Sequence, residues 1–282
     1  MLSPQFLALL SAILFSTGGA AIKSTTLNSW QVAGARSMVA ALALAIALPH
    51  SRRLAHREVW ISAIAYALTL ICFVNATKLT TSANAIFLQG SAPVFLLLLG
   101  PWLLKEANKP RDYAILLAIA LGMTLIFISP TSTTTLAPNP DLGNAFGAAS
   151  GLTWALTLLG FRWVQSKGID PIAAALAGNI LVALVCFPTQ FSASDLVPIL
   201  YLGLIQIALA YWCLTRAVAH LSALEAALLG MLEPALNPFW TWLLHNERPA
   251  NLALIGGTVI LLATTIQALL PKQKPATKPA MC

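Results

Sequence analysis

The chain has 282 residues, 58% of them hydrophobic and only 9% charged, with a formal net charge of +7. Soluble domains carry about 25% charged residues, so a water-facing globular protein is excluded and a membrane-embedded one is expected. The basic excess does not point to nucleic acid, because the sixteen Lys and Arg fall mostly in short clusters between apolar runs, with no basic stripe interleaved with aromatics.

Ten apolar segments meet or approach the ~20 residues that a spanning helix needs. In chain order they are 5–22, 30–48, 59–76, 84–104, 113–129, 143–163, 171–188, 196–214, 222–244 and 251–270. The opening run MLSPQFLALLSAILFSTGGAAIK has no basic n-region and no cleavage site, so it reads as a retained first span. Span 2 carries Arg36 about seven residues in, and spans 3 and 4 hold the amides Asn75, Asn84 and Gln89. The longest connection, TSTTTLAPNPD at 131–141, separates a first half (1–130) from a second (142–271), and a basic tail occupies 272–282. Span 9 contains GMLEPALNPFWTWLLHNE, which sets Glu233, Pro234 and Pro238 inside an apolar run. The four Cys and four His show no metal-ligand spacing, so neither a metal nor another cofactor is expected.

Positive charge is distributed unevenly. With the N-terminus inside, the inner loops and tail hold Arg52, Arg53, Arg57, Lys105, Lys109, Arg111, Arg162, Lys167, Arg216, Lys272, Lys274 and Lys278. The outer side keeps only Lys23, Lys78 and Arg248. This asymmetry places both termini in the cytoplasm.

The halves also resemble each other. Residues 85–106 (AIFLQGSAPVFLLLLGPWLLKE) align without gaps on 226–247 (AALLGMLEPALNPFWTWLLHNE), setting Pro93 opposite Pro234 and Glu106 opposite Glu247, with Ala92 where Glu233 stands. Residues 11–23 (SAILFSTGGAAIK) match 150–162 (SGLTWALTLLGFR), pairing Phe15 with Trp154 and Lys23 with Arg162. Pro49 and Pro188 end the second span of each half at the same offset. Five spans per half is an odd number, so the second half must be inserted upside down. Inverted repeats of this kind serve secondary transporters, which alternate access around a midplane site.

These features resemble the drug/metabolite transporter superfamily, in particular its ten-span EamA-type exporters. The residues that carry the resemblance are LFSTGGAAIK, WQVAGARSMVAALAL and KLTTSANAIFLQGSAPVFLLLLGPWLLKE in the first half. In the second they are AYWCLTRAVAHLSALEAALLGMLEPALNPFWTWLLHNERP and LIGGTVILLATT. The resemblance implies a multi-pass protein of the bacterial inner membrane, with a central cavity lined by spans 1, 3, 4, 6, 8 and 9 and with spans 5 and 10 outside. It also implies transport of a small metabolite without ATP hydrolysis, and no G-x-x-x-x-G-K-[ST] phosphate loop is present.

Glu233 is the most informative position. A charged side chain near the bilayer centre costs about 2.5–3.5 kcal/mol on insertion scales, so this one is expected to face a cavity. Asn237 and Trp240 follow at i+4 and i+7 on the same helical face. Together the three offer a charge, an amide and an aromatic wall to one ligand; the alternative is a glutamate that braces the helix around Pro234. Glu225, about two turns earlier, is a second acid for proton coupling, or a loop-adjacent partner of Arg216. Arg36 snorkels to the interface, meets a substrate carboxylate, or forms a structural or gating ion pair, and the ion pair is the expected role. Phe15 and Trp154 hold equivalent mid-span positions suited to stacking on a planar or cationic ligand, with Tyr211 and Phe73 as a second pair. Gln89 and Asn84 are expected as partial cavity lining, against the alternative of bonding across helices. Pro93, Pro234 and Pro238 each remove a backbone donor and are expected to bend spans 4 and 9. Gly18-Gly19, Gly122 and Gly256-Gly257 are expected to allow close helix packing.

The expected function is export of a small metabolite by alternating access. Amino acids, their derivatives and organic cations lead, because acids and aromatics share the expected cavity; protons are a possible coupling partner. The alternative within transport is an importer or exchanger of an anionic or nucleotide-like metabolite, and the alternative class is an intramembrane enzyme or scaffold. An enzyme needs paired acids with His, a Ser-His pair or metal ligands, and no histidine is clearly mid-span. The assembly is expected to be a monomer or a homodimer.

Overall fold

The computed structural model describes residues 3–92, 94–95, 98–99, 110–130, 134–187, 192–218, 229–230 and 232–269. The expectations for Pro93, Glu106, Pro188, Glu225 and the basic tail lie outside the described residues.

Among the described residues, ten helices follow the ten apolar segments: α1 (Pro4–Lys23), α2 (Ser29–Ala47), α3 (Arg57–Leu79), α4 (Ser82–Gln89), α5 (Pro110–Phe127), α6 (Pro140–Ser166), α7 (Ile172–Val185), α8 (Ala193–Ala217), α9 (Leu232–His245) and α10 (Asn251–Leu269). The fold is all-α, as the composition and periodicity required. Among the described residues, α1, α2, α3 and α8 are each long and apolar enough to cross a membrane. Large apolar side chains stand exposed on many helices, among them Ile46, Leu117, Leu184 and Leu243. In water such surface would be a liability; in a bilayer it is the lipid contact.

Helix starts are set by short polar side chains. Ser3 Oγ accepts from the Phe6 N–H ahead of Pro4, and Asn28 with Gln31 forms a reciprocal capping box. Thr81 accepts from the Asn84 N–H, and Asn139 from the Leu142 N–H just before Pro140. Two helices are irregular near mid-membrane. In α1 the backbone breaks at Thr17, whose hydroxyl donates to the Leu14 carbonyl (2.7 Å) and meets Tyr201 Oη (2.8 Å). In α8 residues Tyr201–Leu209 form a π-helical stretch, a geometry frequent at functional sites.

The two halves interleave. The long α3 packs along α6 and α7, α1 along α8 and α9, and α2 along α7 and α8. Corresponding spans also meet, α2 with α7, α4 with α9 and α5 with α10, as two inverted halves related by a pseudo-two-fold axis require. Connections alternate between faces. Lys78 Nζ donates to the Thr25 carbonyl, the Asn139 N–H to the Leu79 carbonyl, and Asp195 accepts from the Thr26 N–H, so these turns share one face with Lys23. Leu48 and Asp170 come together on the other, with Arg216.

The α5–α10 pair rests on two glycines. A Cβ on Gly256 would lie 2.6 Å from the Gly122 carbonyl oxygen, and one on Gly122 would lie 2.7 Å from that of Gly256. Backbone cannot move aside as a flexible side chain can, so any side chain there forces the helices apart. We therefore expect Gly256→Ala to cost about 1–3 kcal/mol by overpacking, read as a lower unfolding temperature of the purified protein in detergent. An unchanged temperature would show that the contact is not a tight one.

Candidate functional site

A cavity of about 40 Å3 lies among the helices. Its walls are Phe15 of α1, Arg36 of α2, Thr69, Leu70 and Phe73 of α3, Gln89 of α4, Trp154 of α6, Gln206, Ile207 and Tyr211 of α8, and Glu233 of α9. Neither α5 nor α10 contributes. Six spans were expected to line it and all six do; α2 is an addition, through Arg36. A water needs roughly 10–15 Å3, so this chamber holds a few waters and must widen to admit a metabolite.

Arg36 departs from expectation. Its side chain is fully buried (1% exposed), so it does not snorkel, and no carboxylate lies within ion-pair distance among the described residues. One guanidinium nitrogen donates to Gln206 Oε1 at 3.3 Å and another to the Leu70 carbonyl at 3.5 Å, while Nε has no partner. Gly203 lets α8 approach closely, since a Cβ there would lie 2.8 Å from the Arg36 carbonyl. The arginine is thus a buried cation held by neutral acceptors and turned into the cavity. Glu233 is half-buried on the same cavity and has no hydrogen bond or ion pair among the described residues. A buried ionisable group is costly unless something compensates it, so a basic and an acidic side chain without an opposite charge among the described residues single this chamber out in the bundle.

The aromatic wall is organised around Tyr211. Phe15 packs edge-on against it (4.8 Å between ring centroids), Trp154 stands at 6.4 Å, and Tyr66 lies at 5.0 Å. The repeat-related pair Phe15 and Trp154 therefore meets on one ring contributed by α8. Tyr66 Oη accepts from Asn179 Nδ2 at 3.0 Å, which fixes the ring behind the cavity.

Three expected ligand contacts lie elsewhere. Asn237 and Trp240 do share a face with Glu233, but they lie one to two turns further along α9, where α1 and α4 close in. Asn237 Oδ1 accepts from Ser82 Oγ at 2.5 Å, and Trp240 Nε1 donates to Ser16 Oγ at 2.9 Å. Asn84 bonds across helices, its Nδ2 donating to Asn144 Oδ1 at 3.1 Å, and does not reach the cavity. An amide in hydrocarbon takes the nearest partner, and α6 is nearer than the chamber. Gln89 and Phe73 do line the cavity. Pro238 removes one backbone bond, yet α9 continues through it as a single helix. Pro234 precedes it by one turn in the same helix. α4 stops at Gln89, with Gly90 and Ser91 in a turn.

Gln206 and Tyr66 were not singled out from sequence. Gln206 had a signal, as the one amide in LGLIQIALAYW. Tyr66 had none, because an aromatic in a span is ordinary until its neighbours are known. From the Asn84 geometry, Asn84→Ala is expected to lower stability by about 0.5–2 kcal/mol, the range for a lost interhelical bond. It should leave ligand-induced thermal stabilisation unchanged; loss of that stabilisation in a protein of normal melting temperature would return Asn84 to the binding site.

Comparison with known proteins places this geometry in a lineage. The sequence pattern of the EamA-like transporter family matches residues 2–128 and again 141–268. The pseudopaline exporter CntI of Pseudomonas aeruginosa is 26% identical over 272 residues, covering 93% of this chain and 94% of that protein. An uncharacterized transporter of Archaeoglobus fulgidus is 24% identical over 195 residues, 66% of each chain. One solved crystal structure shares the fold with a TM-score of 0.63 at 17% identity, covering 94% of this chain and 96% of its own.

Proposed function

This chain belongs to the EamA-like transporter family, and on that premise we propose that it exports a small zwitterionic metabolite, an amino acid or a derivative, by alternating access. It is a multi-pass membrane transporter of a small molecule and not an enzyme. The observation that carries the substrate reading is the pairing of Arg36 and Glu233 on one cavity, each without an opposite charge among the described residues. A ligand with a carboxylate for Arg36 and an ammonium for Glu233 supplies both missing partners at once. Phe15, Phe73, Trp154 and Tyr211 give it an aromatic wall. A plain organic cation would leave Arg36 uncompensated, and a plain anion would leave Glu233 so; for that reason neither is preferred. Glu233 is also the group we propose for proton coupling, because a carboxyl turned into a cavity exchanges protons with whichever side the cavity faces.

The outward direction is supported by the relative that bears the name of an exporter. The membrane we propose is the bacterial inner membrane. The Arg52 face is assigned to the cytoplasm from the concentration of Lys and Arg on the loops of that side, which puts Lys23 outside.

The test is counterflow of labelled amino acids in liposomes containing the purified protein. Glu233→Gln and Arg36→Gln are each expected to reduce transport about tenfold or more, matching the 1.5–3 kcal/mol of a charge-assisted contact. Normal transport by both variants would overturn the zwitterion reading. Separately, Trp154→Ala is expected to weaken ligand-induced thermal stabilisation more than Phe15→Ala, because the indole offers the larger face. Equal and negligible effects would assign both rings to helix packing.

A further inference from the structure

We propose that Lys23 and Glu247 form the latch that closes the cavity toward the Lys23 face, and that the transport cycle separates them. The inference rests on the family assignment but not on the substrate, and it starts from the order of residues along three helices. Each of α1, α4 and α9 puts a residue on the cavity: Phe15, Gln89 and Glu233. On each of these three, among the described residues, the polar cross-links between helices lie to the same side of that residue, toward the Lys23 face.

Nearest the cavity, Trp240 Nε1 donates to Ser16 Oγ (2.9 Å), joining α9 to α1. Ser82 Oγ donates to Asn237 Oδ1 (2.5 Å), joining α4 to α9. Gly19 of α1 lies flat against this pair, for any Cβ there would overlap Ser82 Oγ and lie 2.7 Å from Asn237 Oδ1. Further out, His245 Nε2 sits 2.9 Å from the Ala20 carbonyl and 3.3 Å from Ser24 Oγ. At the rim, Lys23 Nζ meets Glu247 Oε2 at 2.6 Å, with both residues 8% exposed.

The ion pair ties more than two helices. Lys23 Nζ also donates to the Thr80 carbonyl (3.0 Å) and to that of Leu136, while Glu247 Oε1 accepts the Ser82 N–H (2.6 Å) at the start of α4. One acid and one base thus fasten α1, α4 and the 134–137 turn of the first part of the chain to α9 of the second. Local structure aims the acid. Asn246 adopts a left-handed conformation (φ 53°), which Asn tolerates better than most residues. That turn ends α9 and brings Glu247 back over the helix, where its N–H reaches the Thr241 carbonyl at 3.4 Å.

Stability alone is a weak reason for such a pair, since desolvation offsets most of the attraction between buried charges. A switch is a better one. Parted at the membrane surface, both groups recover water, so the open and closed arrangements differ little in free energy. The repeat supplies an independent sign of the switch. Arg162 occupies in the second half the position of Lys23 in the first, and it stands exposed while Lys23 is buried and paired. Equivalent positions in opposite states are what an inverted repeat shows when one face is sealed.

The test reads access to the cavity and needs no substrate. Thr69→Cys, in a protein whose four native cysteines are replaced by serine, reports the cavity through alkylation by a membrane-impermeant charged maleimide applied to the Lys23 face of oriented vesicles. Lys23→Met and Glu247→Gln should each raise the labelling rate about tenfold, as expected when a minor open state becomes a common one. Lys23→Arg, which keeps the charge and the donors, should stay near the parent rate. Glu247→Gln keeps the acceptor for the Ser82 N–H and removes only the charge, so it serves where Lys23→Met fails to fold. Parent-like labelling in Glu247→Gln would overturn the proposal, as would equally fast labelling in Lys23→Arg. Failure of the Glu233 and Arg36 variants to affect counterflow would leave this result untouched, which separates the two readings.

Discussion

Hydrocarbon offers polar groups no partner, and that single constraint arranges the whole interior of this protein. A buried amide, hydroxyl or charge is satisfied by a carbonyl of its own helix, by a partner on another helix, or by lining a space that water can enter. Bonding between helices is seen again and again. Thr69 meets Thr157, Asn179 meets Tyr66, Asn84 meets Asn144, and Ser29 meets Asn75, each joining different helices. Such bonds are individually modest, but together they fix which helices are neighbours where apolar side chains and lipid tails are nearly equivalent. The last solution is the cavity, which gathers Arg36 and Glu233, two ionisable groups without an opposite charge among the described residues.

The scaffold is symmetric and its chemistry is not. Corresponding spans pack on one another, and corresponding prolines and aromatics fall at matching offsets in the two halves. Glu233, by contrast, has Ala92 as its counterpart. Arg36 likewise belongs to the first half alone, fastened by Gln206 from the π-helical part of α8 in the second. A basic side chain from one half and an acidic one from the other face one chamber that neither half could build. In the function we propose, the symmetric frame permits the exchange of two conformations and the unmatched pair is what the substrate meets.

The small size of the chamber and the polar layers beyond it describe a single physical state. Gly19 and Gly203 let backbones approach within contact distance of side chains and carbonyls on neighbouring helices, which leaves little free volume on that side. Close packing makes such interfaces bistable and not continuously deformable. The Thr17 break in α1 and the π-helical stretch in α8 lie beside the cavity and touch through Thr17 and Tyr201, so the two irregular helices are joined next to it.

The sequence by itself determined the membrane environment, the ten spans, the inverted halves and the placing of an acid, Glu233, inside an apolar span, because hydropathy, charge bias and internal repetition are properties of residues in order. It also placed Phe15, Trp154, Phe73, Tyr211 and Gln89 in the interior. Only the tertiary structure decided which polar residues reach the chamber. Asn237 and Trp240 share the face of Glu233 but meet α4 and α1 first, and Asn84 meets α6. Arg36 turned inward to Gln206 instead of outward to the interface, and Lys23, an ordinary loop-end lysine in sequence, became half of a buried ion pair with Glu247. Helical periodicity says which residues point the same way, whereas the distance to the neighbouring helix, set by glycines and backbone breaks, decides what they touch.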